Sequence, residues 1–255
     1  NITTTEFAMN ILRLIISALA LVSATAAIAR TFDELHVSGP CELHLVESAD
    51  SCGLVEAGGD FSGVDFRYVG SAVFVDVNAY ATVRGRKSIV LYYDGHLRLI
   101  RASGRSVVMA DNIKSADQLT LVASGAASIS IGRLSAANVN VSLTGSGKID
   151  VGGELLASTL NFSLIGSGSV KASSITASRM TVTQRGSGKM IFGGSARDCD
   201  VVGRGTGTVD LRGLVAGEMD LKLLGDGHIY YPAGVRVSIG GNTQNIIQVK
   251  PYQPL

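Results

Sequence analysis

The sequence predicts an all-β protein: a right-handed parallel β-helix, or β-solenoid, of about seven 20-residue coils with an N-terminal antiparallel β cap. Three observations support this prediction. A turn signal recurs every 19 to 21 residues, apolar residues alternate with polar ones around each turn, and the composition combines 31 glycines with only 17% charged residues. Because so short a repeat cannot bury its apolar face alone, we expect the coils to stack around a continuous core.

The turn signals are glycine-led tripeptides. Their first residue stands at positions 104, 125, 145, 166, 186, 205 and 225, which gives spacings of 21, 20, 21, 20, 19 and 20 residues. Glycine suits a tight corner because it adopts a positive φ without a Cβ penalty. We therefore expect structural corner glycines at Gly125, Gly145, Gly147, Gly166, Gly168, Gly186, Gly188, Gly205, Gly207, Gly225 and Gly227.

Apolar residues alternate with polar ones on both sides of each corner. Ile149 and Val151 follow one corner, while Leu160 and Phe162 precede the next. This period of two is typical of strands with one buried face. Phe162 and Val141, each four residues before a corner glycine, are predicted to be core neighbours one coil apart. An antiparallel sandwich or a propeller is the alternative, but propeller blades repeat at about 40 residues.

The N-terminal segment has the layout of a secretory signal peptide. Met9–Arg13 carries one positive charge, and Leu14–Val22 is almost wholly apolar. The small residues of Ala27–Ala29 then predict cleavage between Ala29 and Arg30, with Ala24–Ala26 as a competing site. Cleavage would leave no transmembrane span in the mature protein.

The chain therefore divides into four predicted segments. Residues 1–29 form the signal peptide with an upstream extension, and residues 30–100 form the antiparallel β cap. Residues 101–250 form the solenoid repeat, and residues 251–255 form a tail.

Several motifs resemble those of a known family. Phe32–Leu43 resembles the opening of the GIN-domain family, the auto-transporter adhesin head domain found in exported proteins of Gram-negative bacteria. Leu143–Ile149 and Leu164–Val170 are similar to its repeated Leu-Ser-Gly-Ser-Gly-Asp-Ile motif, and Leu224–Tyr231 resembles its closing element. The resemblance covers residues 31–240. It implies a β-helix-like fold and a periplasmic or surface location, and it supplies no catalytic residues.

The chain departs from this family at its corners. Lys148, Lys189 and His228 stand where the family commonly has aspartate. An acidic ladder that binds cations is therefore not expected.

Charge and residue spacing argue against catalysis, cofactor binding and nucleic-acid binding. The 22 Lys and Arg residues almost balance the 21 Asp and Glu residues, so nothing favours nucleic acid as a partner. Asp150, Asp210 and Asp226 lie near corners without forming an obvious carboxylate pair. No catalytic, cofactor-binding or metal residues are assigned.

The histidines and cysteines give no clear site either. The four histidines, of which His36 and His44 stand eight apart and could share a face, lack metal-ligand spacing. Cys199 occupies an inward position and is predicted to be a small, inert core residue. Whether Cys41 and Cys52 form a disulfide bond is left open.

These observations favour an exported, non-catalytic interaction module of the cell envelope or surface. It would be adhesin-like and periplasmic, outer-membrane-associated or extracellular in a Gram-negative bacterium. Its Ser-, Thr- and Asn-rich faces would contact glycans or envelope proteins. The alternative is a structural envelope protein that assembles end to end, and a carbohydrate-active enzyme is less favoured. The ligand and the oligomeric state stay open.

Overall fold

The computed structural model describes residues 31–48, 50–53, 55–57, 63–78 and 87–249. These residues form an all-β parallel solenoid of about eight turns with an antiparallel start, which confirms the predicted fold class. The predicted signal peptide, its cleavage point at Ala29 and Arg30, and the tail at 251–255 lie outside the described residues.

The strands belong to one sheet that winds around the core. In chain order they are β1 (Glu34–Ser38), β2 (Cys41–Glu47), β3 (Val55–Ala57), β4 (Val64–Val69), β5 (Ala72–Val77), β6 (Lys87–Tyr93), β7 (Leu99–Ala102), β8 (Val107–Lys114), β9 (Gln118–Gly125), β10 (Ser128–Ser135), β11 (Asn138–Gly145), β12 (Lys148–Gly166), β13 (Ser169–Gly186), β14 (Lys189–Gly205), β15 (Thr208–Leu224), β16 (His228–Pro232), β17 (Arg236–Gly241) and β18 (Ile246–Val249). A 3-10 turn, Thr243–Asn245, precedes β18.

Each regular coil has two main sides. The first side stacks β9, β11 and the second halves of β12 to β15, and the second side stacks β8, β10 and the first halves of β12 to β15. The long strands shift register once per coil, for example between Val151 and Glu154, where a short third side begins. The chain therefore stays extended through a bend that carries it around the core.

The core is a set of apolar columns, because inward residues stack on their equivalents one coil away. Val141 is in register with Phe162, and Phe162 is in register with Val182. Phe162 and Val141 are each 2% exposed, which confirms them as stacked core neighbours. Phe162 also packs on Phe192, with ring centroids 4.6 Å apart.

Two constraints act on the glycines of the five Gly-X-Gly corners. The first glycine of a corner takes a positive φ, +121° at Gly166, where other residues are strained. The second glycine faces the coil below: a Cβ on Gly147 would lie 2.0 Å from the Ala127 carbonyl oxygen. Both constraints support the predicted structural role of the corner glycines.

The start of the chain is threaded differently from the prediction. Antiparallel pairing is confirmed, but it joins β4 to β5 and β3 to β6. β1 pairs in parallel with both β5 and β7, and β2 pairs in parallel with both β6 and β8. The first two strands thus form a coil of the solenoid itself, between the β5–β6 and β7–β8 levels.

A corner outside the glycine-led repeat explains how β1 and β2 are placed. Gly39 joins β1 to β2 with a φ of +83°, and its backbone nitrogen lies 3.5 Å from the Cβ position of Gly104. Gly39-Pro40 therefore stacks beneath the Gly104 corner of the next level. The Ser-Gly-Pro sequence departs from the glycine-led repeat, so its equivalence to a corner was not evident from spacing.

The last coil is formed by β17 and β18, which pair with β15 and β16 respectively. Side-chain amides attach the turn between them to the corner below. The Asn242 amide donates to the Gly225 carbonyl oxygen at 3.1 Å, and the Asn245 amide donates to the Asp226 carbonyl oxygen at 3.3 Å. The corner series therefore continues to this coil through side-chain hydrogen bonds.

Candidate interaction surface

The first side of the solenoid carries a block of uncharged, mostly polar residues over three neighbouring levels. We call it the hydroxyl–amide face. It consists of the outward residues of β9, β11 and the second half of β12: Gln118, Thr120, Val122, Ser124, Asn138, Asn140, Ser142, Thr144, Thr159, Asn161, Ser163 and Ile165. Because inward residues alternate with these, the strands that build the core also present this face to solvent.

Parallel pairing places like groups above one another on this face. Thr120 is in register with Asn140, which is in register with Asn161. The Asn161 amide donates a hydrogen bond to Asn140 Oδ1 at 2.9 Å. Each coil adds about 4.8 Å, so hydroxyl and amide groups recur at a constant spacing. Such groups both donate and accept hydrogen bonds.

The next three levels of the first side are charged. Arg179 and Arg185 flank two threonines on β13, and acidic residues follow on β14 and β15. Four carboxylates stack as register neighbours at one margin: Asp198, Asp200, Glu218 and Asp220. The hydroxyl–amide face is therefore a bounded neutral region, with charge beginning at the fourth level.

A groove of about 560 Å³, lined by both charged and apolar residues, adjoins the hydroxyl–amide face and shares Gln118 and Thr120 with it. Arg98 lines the groove together with two carboxylates: its Nε donates to Asp33 Oδ2 at 2.6 Å, and its Nη2 lies 3.6 Å from Glu34 Oε1. Hydrogen bonds from Ser71 and Arg98 hold the pKa of Asp33 below its usual range. The groove thus places charged hydrogen-bonding groups beside the neutral face.

The three aspartates considered for catalysis are dispersed. Asp150 and Asp210 share an outward column on the second side, but Lys171 and Ile191 lie between them in register. Three coils separate the two carboxylates by about 14 Å. This exceeds the separations of about 5 to 9.5 Å found in glycosidases. Asp226 stands apart from both, at a corner.

Both column aspartates form ion pairs. Asp150 Oδ2 lies 2.7 Å from Lys148 Nζ. Arg212 donates to both Asp210 oxygens, at 2.9 and 2.6 Å, and these hydrogen bonds hold the pKa of Asp210 below its usual range. Both carboxylates are therefore engaged in structural ion pairs on the second side.

The histidines are distributed over the surface. His36 stacks on Phe74 with centroids 4.5 Å apart, while His44 Nε2 lies 3.2 Å from Glu42. The expectation that these two histidines could share a face was wrong, because the Gly39 corner places β1 and β2 on different sides. Across the residues that the structure describes, no three His, Cys, Asp or Glu side chains are arranged to hold a metal ion.

Cys41, Cys52 and Cys199 are all buried. The Cys41 thiol donates to the Ser38 carbonyl oxygen at 3.8 Å. Cys199 is 1% exposed and stacks between Met180 and Met219 in the core. This confirms its predicted burial.

Cys199 is expected to be chemically inert in the folded protein. Burial raises the pKa of its thiol to about 12, so the reactive thiolate is scarce at neutral pH. In a Cys41→Ser/Cys52→Ser background, a maleimide reagent should label Cys199 only after denaturant is added. Labelling of the native protein as fast as that of the unfolded chain would contradict this placement.

Gln184 is a buried polar residue that sequence reasoning missed. It is 1% exposed, and its amide donates to the Gly188 carbonyl oxygen at 2.6 Å. A Cβ on Gly207 would lie 1.7 Å from Gln184 Nε2, so that glycine leaves room for the amide. The sequence did contain a signal for Gln184, because it is a polar residue at a position that the alternation assigns to an inward column. Its role here is structural, since it bonds a corner.

The fold and the surface together define a class of protein: a parallel β-solenoid with an extended polar side wall. Within the described residues, no helical segment has the length and apolar character that a membrane crossing requires. The chain belongs to the family described as "Putative auto-transporter adhesin, head GIN domain", whose model matches residues 31–193. This confirms the family resemblance. No curated protein matches the chain in sequence.

Three solved structures described as putative adhesins are similar in fold, each at 17% sequence identity. The protein from Parabacteroides distasonis has a TM-score of 0.69 and covers 86% of this chain and 92% of its own. That from Bacteroides fragilis has a TM-score of 0.65, with coverage of 87% and 91%. That from Parabacteroides merdae has a TM-score of 0.63, with coverage of 87% and 90%.

Proposed function

We propose that this protein is an exported, non-catalytic, adhesin-like module of the cell envelope or surface, which binds glycans or envelope proteins through its hydroxyl–amide face. The observation that carries this proposal is the register of the face: uncharged outward residues stack over three levels without an intervening charge. Membership of a family described as adhesin-like supports the same role.

The composition of the face suits a ligand that is rich in hydroxyl groups. Ser, Thr and Asn side chains can both donate and accept hydrogen bonds, as sugar hydroxyls do. They are also short, so ordering them on binding loses less conformational entropy than ordering Lys or Arg. Parallel strands hold them at a repeated spacing before the ligand arrives, which favours affinity through preorganisation.

The binding proposal is tested by screening the mature protein on a glycan array and on isolated envelope fractions. Asn140→Ala/Asn161→Ala removes the amide pair from the face, and we expect affinity for the retained ligand to fall about tenfold, equivalent to about 1.4 kcal/mol. Ser130→Ala/Ser169→Ala on the second side is the control and should bind as the wild type does. Undiminished binding by the asparagine variant, or no binding by the wild type, would contradict the proposal.

Export is the other component of the proposal and rests on the signal-peptide layout of residues 1–29. Edman sequencing of the protein recovered from the periplasm or medium is expected to begin Arg-Thr-Phe, from Arg30. A cytoplasmic product that still carries Met9 would refute export.

A further inference from the structure

Two arginines stack on the charged part of the first side, immediately before two successive corners. Arg185 is in register with Arg204, with Ile165 one coil below and Leu224 one coil above. We call these four residues the arginine column. Each coil adds about 4.8 Å, so the column is about 14 Å long. All four side chains are exposed.

Stability does not account for the stacked arginines. Like charges placed directly opposite on neighbouring strands are destabilising. Five other arginines of the described residues are paired with carboxylates, as Arg98 is with Asp33 at 2.6 Å and Arg212 with Asp210 at 2.6 Å, whereas Arg185 and Arg204 stand directly opposite each other. Among the ion pairs of the described residues, none includes Arg185 or Arg204. Both guanidinium groups are therefore available to an external anion.

Several hydroxyl groups lie near the two arginines in the chain. Ser187 and Thr206 follow them in the exposed corners, and Lys189 lies just beyond the first corner. Thr183 precedes Arg185 on the same outward face of β13. Two guanidinium groups thus lie near hydroxyl groups, whereas the positive charge of Lys189 acts on Asp210 on the second side and helps to lower the pKa of that carboxyl. A guanidinium group binds a carboxylate or sulfate through two parallel N–H···O bonds.

The ends of the arginine column are apolar. Ile165 and Leu224 both occupy outward positions and are large apolar residues exposed to solvent, at 44% and 42%. Aliphatic side chains at either end offer a surface for the C–H faces of sugar rings, while the arginines between them face charged substituents. An acidic sugar polymer has both properties, with charges that recur along the chain.

We propose that the arginine column binds an acidic glycan, a polysaccharide whose sugars carry carboxylate or sulfate groups. This proposal rests on the proposed function and names the ligand class at its charged margin. Charge complementarity favours an anion, and the hydroxyl groups and apolar ends favour a sugar over a simple ion. The adjoining hydroxyl–amide face extends the same surface toward neutral sugar units.

The test compares binding to immobilised polygalacturonate, dextran sulfate and neutral dextran at about 0.15 M salt. The wild type should bind at least one acidic polymer about tenfold more tightly than dextran. Arg185→Gln/Arg204→Gln should lose about tenfold in affinity for that polymer. The matched control, Arg105→Gln/Arg133→Gln, removes the same charge elsewhere and should stay within about threefold of the wild type, because the lost long-range attraction is screened.

Each opposite result would overturn the proposal. Equal losses in the two variants would show attraction to net charge alone. Tighter binding to vesicles of anionic phospholipid than to either acidic polymer would assign the column to a membrane. Failure of the wild type to bind either polymer would also refute it. If a neutral glycan still binds and depends on Asn140 and Asn161, the proposed function survives that failure. Circular dichroism melts of both variants should match the wild type, since exposed substitutions change stability little.

Discussion

Phe162→Asp is expected to destabilise the protein by several kcal/mol or to prevent folding. Phe162 is 2% exposed and stacks between Val141 and Val182, with the Phe192 ring 4.6 Å away. Aspartate at this position would leave an uncompensated charge in an apolar column. It would also remove the aromatic volume, a change that alone typically costs about 3–5 kcal/mol. Denaturant unfolding monitored by circular dichroism measures the loss.

The adjacent residue supplies the control. Ser163 points outward on the hydroxyl–amide face, so Ser163→Asp should change the free energy of unfolding by about 0.5 kcal/mol or less. The two variants introduce the same charge at neighbouring positions of one strand, so only the direction of the side chain differs. Equal destabilisation by both would show that the inward and outward columns are wrongly assigned.

The regular part of the solenoid was predictable because both the spacing of the corners and the alternation of apolar and polar residues can be read from the sequence. Corner glycines recur at nearly constant intervals, and the alternation around them identifies inward residues such as Phe162 and Cys199. Every coil repeats the same local solution, so an error at one corner would be outweighed by the others. The neutral composition of the hydroxyl–amide face was also visible, since its residues fill the outward positions.

The threading of the first two strands was not predictable in this way. Alternation shows that β1 and β2 each bury one side, but it does not identify the strand with which they pair. The chain first forms the β1–β2 level, then the β5–β6 level on one side of it, and then the β7–β8 level on its other side. The Gly39-Pro40 corner is an isolated example without a neighbour at repeat spacing. The level that β1 and β2 occupy in the solenoid therefore depends on pairing with strands distant in the sequence, which local alternation does not reveal.

The arginine column shows a further limit of sequence reasoning. Arg185 and Arg204 each precede a corner glycine, so their register follows from the repeat once the coils are known to be parallel. Their significance required the structure, because it depends on which carboxylates lie within reach. Gln184 was missed for a related reason. Its partner is a corner carbonyl, and the space it occupies depends on the absence of a side chain at Gly207.

Gly147→Ala is expected to destabilise the solenoid by roughly 1–3 kcal/mol, the usual range for overpacking a well-packed site. The added Cβ would lie 2.0 Å from the Ala127 carbonyl oxygen and 3.1 Å from the Ala127 nitrogen. Both contacts are with backbone atoms, so no flexible side chain can move aside. The same carbonyl accepts the backbone hydrogen bond from Lys148 at 3.0 Å. Relieving the clash would therefore separate two coils at a corner and weaken the hydrogen bonds that join them.

Gly152→Ala, five residues further along the same coil, is the matched control. An added Cβ there meets no atom within 4 Å, and the position has no positive φ. Alanine also restricts the unfolded chain more than glycine does, so this variant should equal the wild type or gain up to about 1 kcal/mol. Thermal and denaturant unfolding of both variants measures the difference. If Gly147→Ala proved as stable as Gly152→Ala, close backbone stacking would not be what requires glycine at the second corner position.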